Sequence, residues 1–307
     1  MNNLINKLNK LEIETSENIK SSKSVNTLRA YKADFSDFNN FCKTYNLRPL
    51  PATCKTVSMY ITQLSKKSKF STLKRRLAAI KVYHKLNGSY IDLKNPIISE
   101  NLTSIKKKIG IFQKAKKPLS INDLKKIINE IEKEKKEMER FRNKALILIG
   151  FAGAFRRSEL VSLMIDDLDF VDEGVKIFVK KSKTDQSGEG MIKAIPYFNN
   201  KLLCPVNSLK NWLSYLNNMK ITGTKIFNMS DKNVSLIVKK YTSKIGLESF
   251  KYSGHSLRSG FATSTAESGA DERQIMNMTG HKSSQMVRRY IHQSNLFKQN
   301  ALKKLDL

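Results

Sequence analysis

Residues 254–290 read GHSLRSGFATSTAESGADERQIMNMTGHKSSQMVRRY. His255 and Arg258 stand three residues apart, a spacing that puts two side chains on one face of a helix. Gly280 directly precedes His281, and glycine is the residue that most easily ends a helix in the left-handed region. Tyr290 follows nine residues after His281, within Arg288-Arg289-Tyr290-Ile291. Each signal alone has an ordinary reading. A His/Arg pair can be a surface pair, a Gly-His a simple cap, and a tyrosine a core residue at an interface.

Upstream, two further signals precede this stretch. The segment Ala154-Phe155-Arg156-Arg157-Ser158-Glu159-Leu160 follows an apolar run, Ala145 to Ala154, that predicts a buried helix. Its first arginine opens a second helix with Glu159 three residues on. Lys183, in Lys180-Lys181-Ser182-Lys183-Thr184-Asp185, falls at the turn between two strand patterns, with Lys180, Lys181 and Lys193 as neighbours of the same kind. Attack on a phosphodiester without a metal needs this set of parts. Two arginines clamp the charged nonbridging oxygens through planar donor forks. A tyrosine hydroxyl attacks in line, a lysine protonates the leaving 5′ oxygen, and histidines exchange protons or hold an oxygen. Arg156, Lys183, His255, Arg258, His281 and Tyr290 are therefore the candidate catalytic residues. No carboxylate cluster suited to magnesium is evident, which favours the metal-free route and no cofactor.

The rest of the chain is patterned mainly for helices. Leu28, Tyr31, Phe35, Phe38 and Phe41 recur at three and four, as do Val57, Tyr60, Ile61 and Leu64, and then Leu73, Leu77, Ile80 and Tyr83. Ile98 to Phe112 predicts a fourth helix. The segment 113–118, QKAKKP, reads as a linker, and Ser120-Ile-Asn-Asp123 resembles a capping box that opens a new helix. Leu168 to Phe170, Val175 to Val179 and Met191 to Ile195 predict strands, with Gly174 and Gly188 at turns. The expected architecture is mainly α with one small antiparallel β-sheet. It divides into a tail (1–22), a helical domain (23–112), the linker (113–118) and a second domain (119–307).

Charge narrows the partner. The chain carries 56 Lys and Arg against 27 Asp and Glu, a net of +29. Residues 1–117 hold 24 basic and 7 acidic residues, residues 118–307 hold 32 and 20. A biased genome inflates lysine but does not explain the scarcity of acidic residues in the first third. A polyanion partner does. Lys74, Arg75, Arg76, Lys81, Lys106, Lys107 and Lys108 are the candidate DNA-binding residues. Cys42, Cys54 and Cys204 are far apart and lack metal-ligand spacing, which fits a reducing compartment. The start has no apolar run, and no stretch approaches a membrane span, so a cytoplasmic protein with no membrane partner is expected.

From Gly150 to His292 the sequence resembles the catalytic domain of the tyrosine recombinase, or phage integrase, family. That family's pattern is Arg, Lys, His-x-x-Arg, His or Trp, and Tyr, met here by Arg156, Lys183, His255-Ser-Leu-Arg258, His281 and Tyr290. Glu159 matches the acidic residue that commonly orients the first arginine. Phe155 and Thr279 depart from the commoner leucines. Asn26 to Tyr31 and Ser71 to Ile80 resemble the SAM-like core-binding domain of Cre- and Xer-type enzymes. The resemblance implies an α+β catalytic domain and a site-specific recombinase or integrase that cuts and rejoins double-stranded DNA through a 3′-phosphotyrosyl intermediate. It also implies a homo-tetramer on two DNA sites, weakly associated without DNA. A type IB topoisomerase and a catalytically silent DNA-binding protein remain as alternatives. After Tyr290, Leu296, Phe297, Ala301, Leu302 and Leu305 form a short apolar stripe, too short to be stable alone. It packs either on its own domain or, as the resemblance implies, on a neighbouring protomer.

Overall fold

Apolar residues at spacings of three and four give each early helix one water-averse face, and such faces persist only when they close on one another. The computed structural model describes residues 23–111, 115–180, 189–281 and 283–295, with isolated positions (7, 10, 11, 14, 15 and 305) toward the ends. Lys183, Gly188, Leu296, Phe297, Ala301, Leu302, most of the tail 1–22 and part of the linker lie outside the described residues. The chain divides into two compact units, Met1–Lys114 and Ala115–Leu307.

Residues 23–111 of the first unit hold the helices α1 (Val25–Thr44), α2 (Cys54–Ser65), α3 (Phe70–Leu86) and α4 (Pro96–Ile109). Ser24, Thr53 and Asn95 cap α1, α2 and α4 by accepting from backbone N–H groups of the first turn. α1 packs on α3 and α2 on α4. Phe38, Val57, Ile61, Leu73, Ile80 and Ile98 meet in a core that excludes water almost completely. His84 is buried there with both ring nitrogens engaged: Nε2 accepts from Ala52 N at 2.9 Å and Nδ1 lies 2.8 Å from Ile80 O.

In the second unit, Ser120 Oγ accepts from Asp123 N and starts α5 (Ile121–Glu132). The helix α6 (Glu137–Ala152) follows, buried from Ala145 to Gly150. Then come α7 (Arg157–Ser162), the strands β1 (Leu168–Val171), β2 (Gly174–Val179) and β3 (Met191–Pro196), α8 (Pro205–Asn218), α9 (Asp231–Lys244), α10 (Gly254–Glu267), α11 (Glu272–Thr279) and α12 (Ser284–Asn295). The strands form one antiparallel sheet in the order β1-β2-β3, with Val175 opposite Ile195 and Ile177 opposite Lys193. α6 packs against α8 and α10. α10 comes so close to the chain before α5 that a Cβ on Gly260 would sit 2.2 Å from Leu119 O, so only glycine fits there. The observed architecture is mostly helical with one small three-stranded sheet. No helix among the described residues is long and apolar enough to cross a membrane.

Candidate active site

The first arginine is positioned by a tight turn. After α6 the chain reverses at Gly153 and Ala154, and Ala154 adopts φ +47°, the left-handed region that costs a residue bearing a Cβ. Arg156 then stands at the head of α7 in extended backbone. Glu159, 3 % exposed, holds it twice. Its Oε2 accepts from Arg156 N at 2.9 Å and its Oε1 accepts from Arg156 Nη1 at 2.6 Å. The adjacent Arg157 goes elsewhere, donating to Ser235 Oγ at 2.9 Å and lying 3.7 Å from Asp231. The two arginines of the pair thus have different fates.

The second arginine comes from α10, which Ser253 caps by accepting from His255 N. Arg258 is 1 % exposed. Its Nη1 donates to Ala154 O at 2.8 Å, while its buried Nη2 has no hydrogen-bond partner among the described residues. Burial, with Arg156 beside it, pushes the Arg258 guanidinium down to about 10, still charged at neutral pH. One turn earlier, His255 keeps an exposed edge. Partial burial of its ring, then the charges of Arg258, Arg156 and Arg157, lower its proton affinity.

The α10–α12 region brings in the remaining two groups. Asp271 and Gln274 cap each other at the start of α11. Thr279 donates back to Ile275 O at 2.7 Å, which lets a hydroxyl occupy a buried position. Gly280, at φ +62°, ends the helix and turns the chain to His281. The Nδ1 of His281 is buried with no partner among the described residues. Burial first, then Arg258, Arg156, His255 and Lys193, push its imidazole down to about 4, so the ring is neutral at pH 7. The Tyr290 ring lies 6.4 Å from that of His281, 26° from parallel. Tyr290 packs on a small cluster formed by Ala262, Ala266, Ile275 and Val287. Burial raises the Tyr290 phenol, opposed by Arg258 and Arg289.

The structure therefore brings Arg156, His255, Arg258, His281 and Tyr290 into one electrostatically coupled site. It adds a residue that motif reading passed over. Lys193, on β3, is 1 % exposed, and its Nζ donates to Gly153 O at 2.6 Å and to Met278 O. The available signal was strand alternation, because Lys193 shares the inward face with Ile195. Of the residues expected to meet DNA, Lys74, Lys81, Lys106, Lys107 and Lys108 are exposed. Arg75 is exposed as well, and both Arg75 and Arg76 are paired with acidic groups of the first unit. Arg75 Nη1 lies 2.6 Å from Asp34 Oδ2, and Arg76 pairs with Asp37 and donates to Tyr60 Oη at 2.7 Å.

Comparison with known proteins gives one answer. The sequence profile of the Phage integrase family matches residues 117–296. An integrase/recombinase xerD homolog of Selenomonas ruminantium is 39 % identical over 278 residues, covering 87 % of this chain and 81 % of that protein. A tyrosine recombinase of Agathobacter rectalis is 27 % identical over 266 residues, 81 % of each chain. Among solved structures, XerH site-specific recombinase bound to a palindromic difH substrate superposes with a TM-score of 0.68 at 20 % identity, over 91 % of this chain and 80 % of that one. A lambda integrase (75–356) dimer bound to a core site gives a TM-score of 0.60 at 19 % identity, over 91 % and 93 %. At those identities the structural likeness speaks for the fold.

Proposed function

The chain belongs to the phage integrase family and is a tyrosine recombinase, an enzyme of DNA strand breakage and rejoining; on that premise we propose that it recombines double-stranded DNA at specific sites by metal-free transesterification through Tyr290. The observation that carries this reading is an imbalance of charge. Arg156, Arg258 and Lys193 converge beside the imidazoles of His255 and His281, with Glu159 as the carboxylate among the described residues that offsets them, and Arg258 Nη2 and His281 Nδ1 are buried without a partner among the described residues. A phosphodiester supplies the missing negative charge and the missing hydrogen-bond partners.

In the proposed reaction, Arg156 and Arg258 donate to the nonbridging oxygens, with Glu159 holding Arg156 in place. Tyr290 Oη attacks phosphorus, forming a tyrosyl–phosphate bond as the bond from phosphorus to the 5′ oxygen breaks. The phosphate entering between the arginines raises the proton affinity of the nearby imidazoles, which prepares His281 to receive the tyrosyl proton. The departing 5′ oxygen takes a proton from Lys183, a role that rests on the family resemblance. Attack by another 5′-hydroxyl on the phosphotyrosine reverses the bonding and joins the strands. Exposed lysines at 74, 81 and 106–108 contact backbone phosphates, so affinity falls steeply with salt. Four protomers act on two sites. A largely apolar cavity of about 470 Å³, lined by Ile121, Leu124, Phe151, Phe198, Phe261 and Met278 among others, suits the Leu296-Phe297 segment of a neighbour.

A duplex nicked opposite the scissile phosphate tests the reading. Peptide mass spectrometry should find a 3′-phosphate on Tyr290, formed in the presence of chelator and absent from Tyr290→Phe. An adduct on a 5′-phosphate or at another residue excludes the mechanism. The chain truncated after Gln293 should still form that adduct while failing to bring two sites together, and full recombination by it removes the tail from the assembly.

A further inference from the structure

We propose that Lys193 is a positioning residue that ties the turn presenting Arg156 to the turn presenting His281, so that the two move to the phosphate as one unit. The inference deepens the recombinase reading and rests on it. Lys193 Nζ bridges two backbone carbonyls from distant parts of the chain. One is Gly153 O, in the reversal after α6, three residues before Arg156. The other is Met278 O, at the end of α11, three residues before His281. The next carbonyl in the reversal, Ala154 O, is held by Arg258 Nη1. Lys193 and Arg258 thus fix adjacent peptide groups, and the strained Ala154 conformation is over-determined from both sides. The Lys193 Nζ also lies 4.7 Å from the Phe155 ring centroid, which covers it from the side of α7.

This lysine is poorly placed to act on DNA itself. At 1 % exposure, with its ammonium on two carbonyls, it has no path to a 5′ oxygen. It also makes no ion pair among the described residues. Burial pushes it down to about 7, Glu159 opposes that shift, and Arg258 and Arg156 add to it. The titratable and charged groups facing it among the described residues are Arg156 and Glu159 at α7, Arg258 on α10 and the neutral His281 after α11. An anion bound between the arginines offsets their repulsion, so Lys193 is most fully charged, and its tie strongest, when the scissile phosphate is seated. A neutral side chain of the same length would leave the fold but loosen the coupling.

The test is Lys193→Met in the full chain, read by three measurements. These are the rate of covalent complex formation on the nicked duplex at saturating protein, the affinity for an intact site, and the melting temperature. The expected result is cleavage slowed by about 100-fold, as for a catalytic group displaced by a fraction of its contact distance. Affinity should stay within about twofold, since phosphate contacts elsewhere carry it. The melting temperature should hold or rise, because a desolvated cation has been removed. Rate and melting temperature that fall together would mark Lys193 as packing alone and overturn the proposal. Should methionine leave the carbonyls too bare for folding, Lys193→Gln keeps an N–H donor and replaces it under the same criteria. Wild-type cleavage by whichever variant folds, or failure of both to fold, also overturns the proposal. Wild-type protein that forms no Tyr290 adduct would instead sink the recombinase mechanism, so the two failures are distinguishable.

Discussion

Each unit of the molecule contains a cluster of cations gathered around acidic groups, and the two clusters are built differently. In the first unit Arg75 and Arg76 meet Asp34, Asp37 and Tyr60: two guanidinium groups, two carboxylates and a phenol that donates to Asp37 at 2.7 Å. In the second unit Arg156, Arg258 and Lys193 have Glu159 as their acidic partner among the described residues, with the uncharged imidazole of His281 beside them. In a balanced cluster each charge has a partner, so removing one member leaves the other unpaired and costs stability. An unbalanced one holds positive charge in a poorly hydrated place and is relieved by an arriving anion. The comparison teaches that cation density alone does not mark a nucleic-acid site. The shortage of carboxylates around buried cations does.

The comparison is broken or upheld most directly by removing one member from each cluster. Arg258→Met should slow covalent complex formation by about 10³-fold, the scale of losing one preorganised donor to the transition-state oxygens. Its urea unfolding midpoint should not fall, because the lost cation is desolvated and makes no ion pair among the described residues. Asp34→Asn should do the opposite. Asp34 is 3 % exposed and accepts from Arg75, so removing its charge should lower stability by about 2 kcal/mol. The folded fraction of Asp34→Asn should cleave at the wild-type rate. If Arg258→Met unfolds as readily as Asp34→Asn, the second cluster is scaffolding too.

Glu159→Gln sharpens the contrast by worsening the imbalance. Glutamine can still accept from Arg156 N but no longer neutralises its side chain. Cleavage should slow by about tenfold as the Arg156 fork loses its orientation. The variant should also melt lower in dilute buffer and recover more than wild type when inorganic phosphate is added, since phosphate replaces the lost negative charge. Equal phosphate stabilisation in the two proteins would show that Glu159 does not set the charge of the site.

Much of the site was legible because its parts are short and locally fixed. His255 and Arg258 share a helix whose cap, Ser253, is adjacent in sequence, and Gly280 ends α11 by a conformation that its own residue type favours. The small sheet and the helical first unit followed from periodicities of two and near four. The fates that could not be read depend on long-range partners. Arg76 looked like a surface residue in a basic run, yet it turns inward to Asp37, 39 residues earlier in the chain. Lys193 sat among several lysines, and its importance depends on carbonyls 40 and 85 residues away that no local pattern announces. Lys183 and the apolar residues Leu296, Phe297, Ala301 and Leu302 fall outside the described residues, so their roles rest on sequence.

The smallest expected effect separates two histidines. His84, in the first unit, is buried with both nitrogens bonded, whereas His281 keeps a buried Nδ1 without a partner among the described residues. Burial first, and then the neighbouring cations, hold the His281 imidazole down to about 4 from its ordinary 6.5. As pH falls below 6.5, the unfolded chain protonates this ring before the folded protein does, so folded stability is lost progressively until about pH 4 and changes little from this group below that. The loss should build progressively across the window, and it should be missing from His281→Asn, which has no proton to take up. The measurement is the difference in urea unfolding free energy between His281→Asn and wild type at a series of pH values. That difference should shift in favour of the variant as pH falls from 6.5 toward 4. Saturating a nicked or intact DNA site should shrink the wild-type loss, because a phosphate between Arg156 and Arg258 offsets the charges that repel the imidazolium. A difference that stays flat with pH would mean that His281 is not under the field of the arginines, and the unbalanced cluster would then be smaller than its geometry suggests.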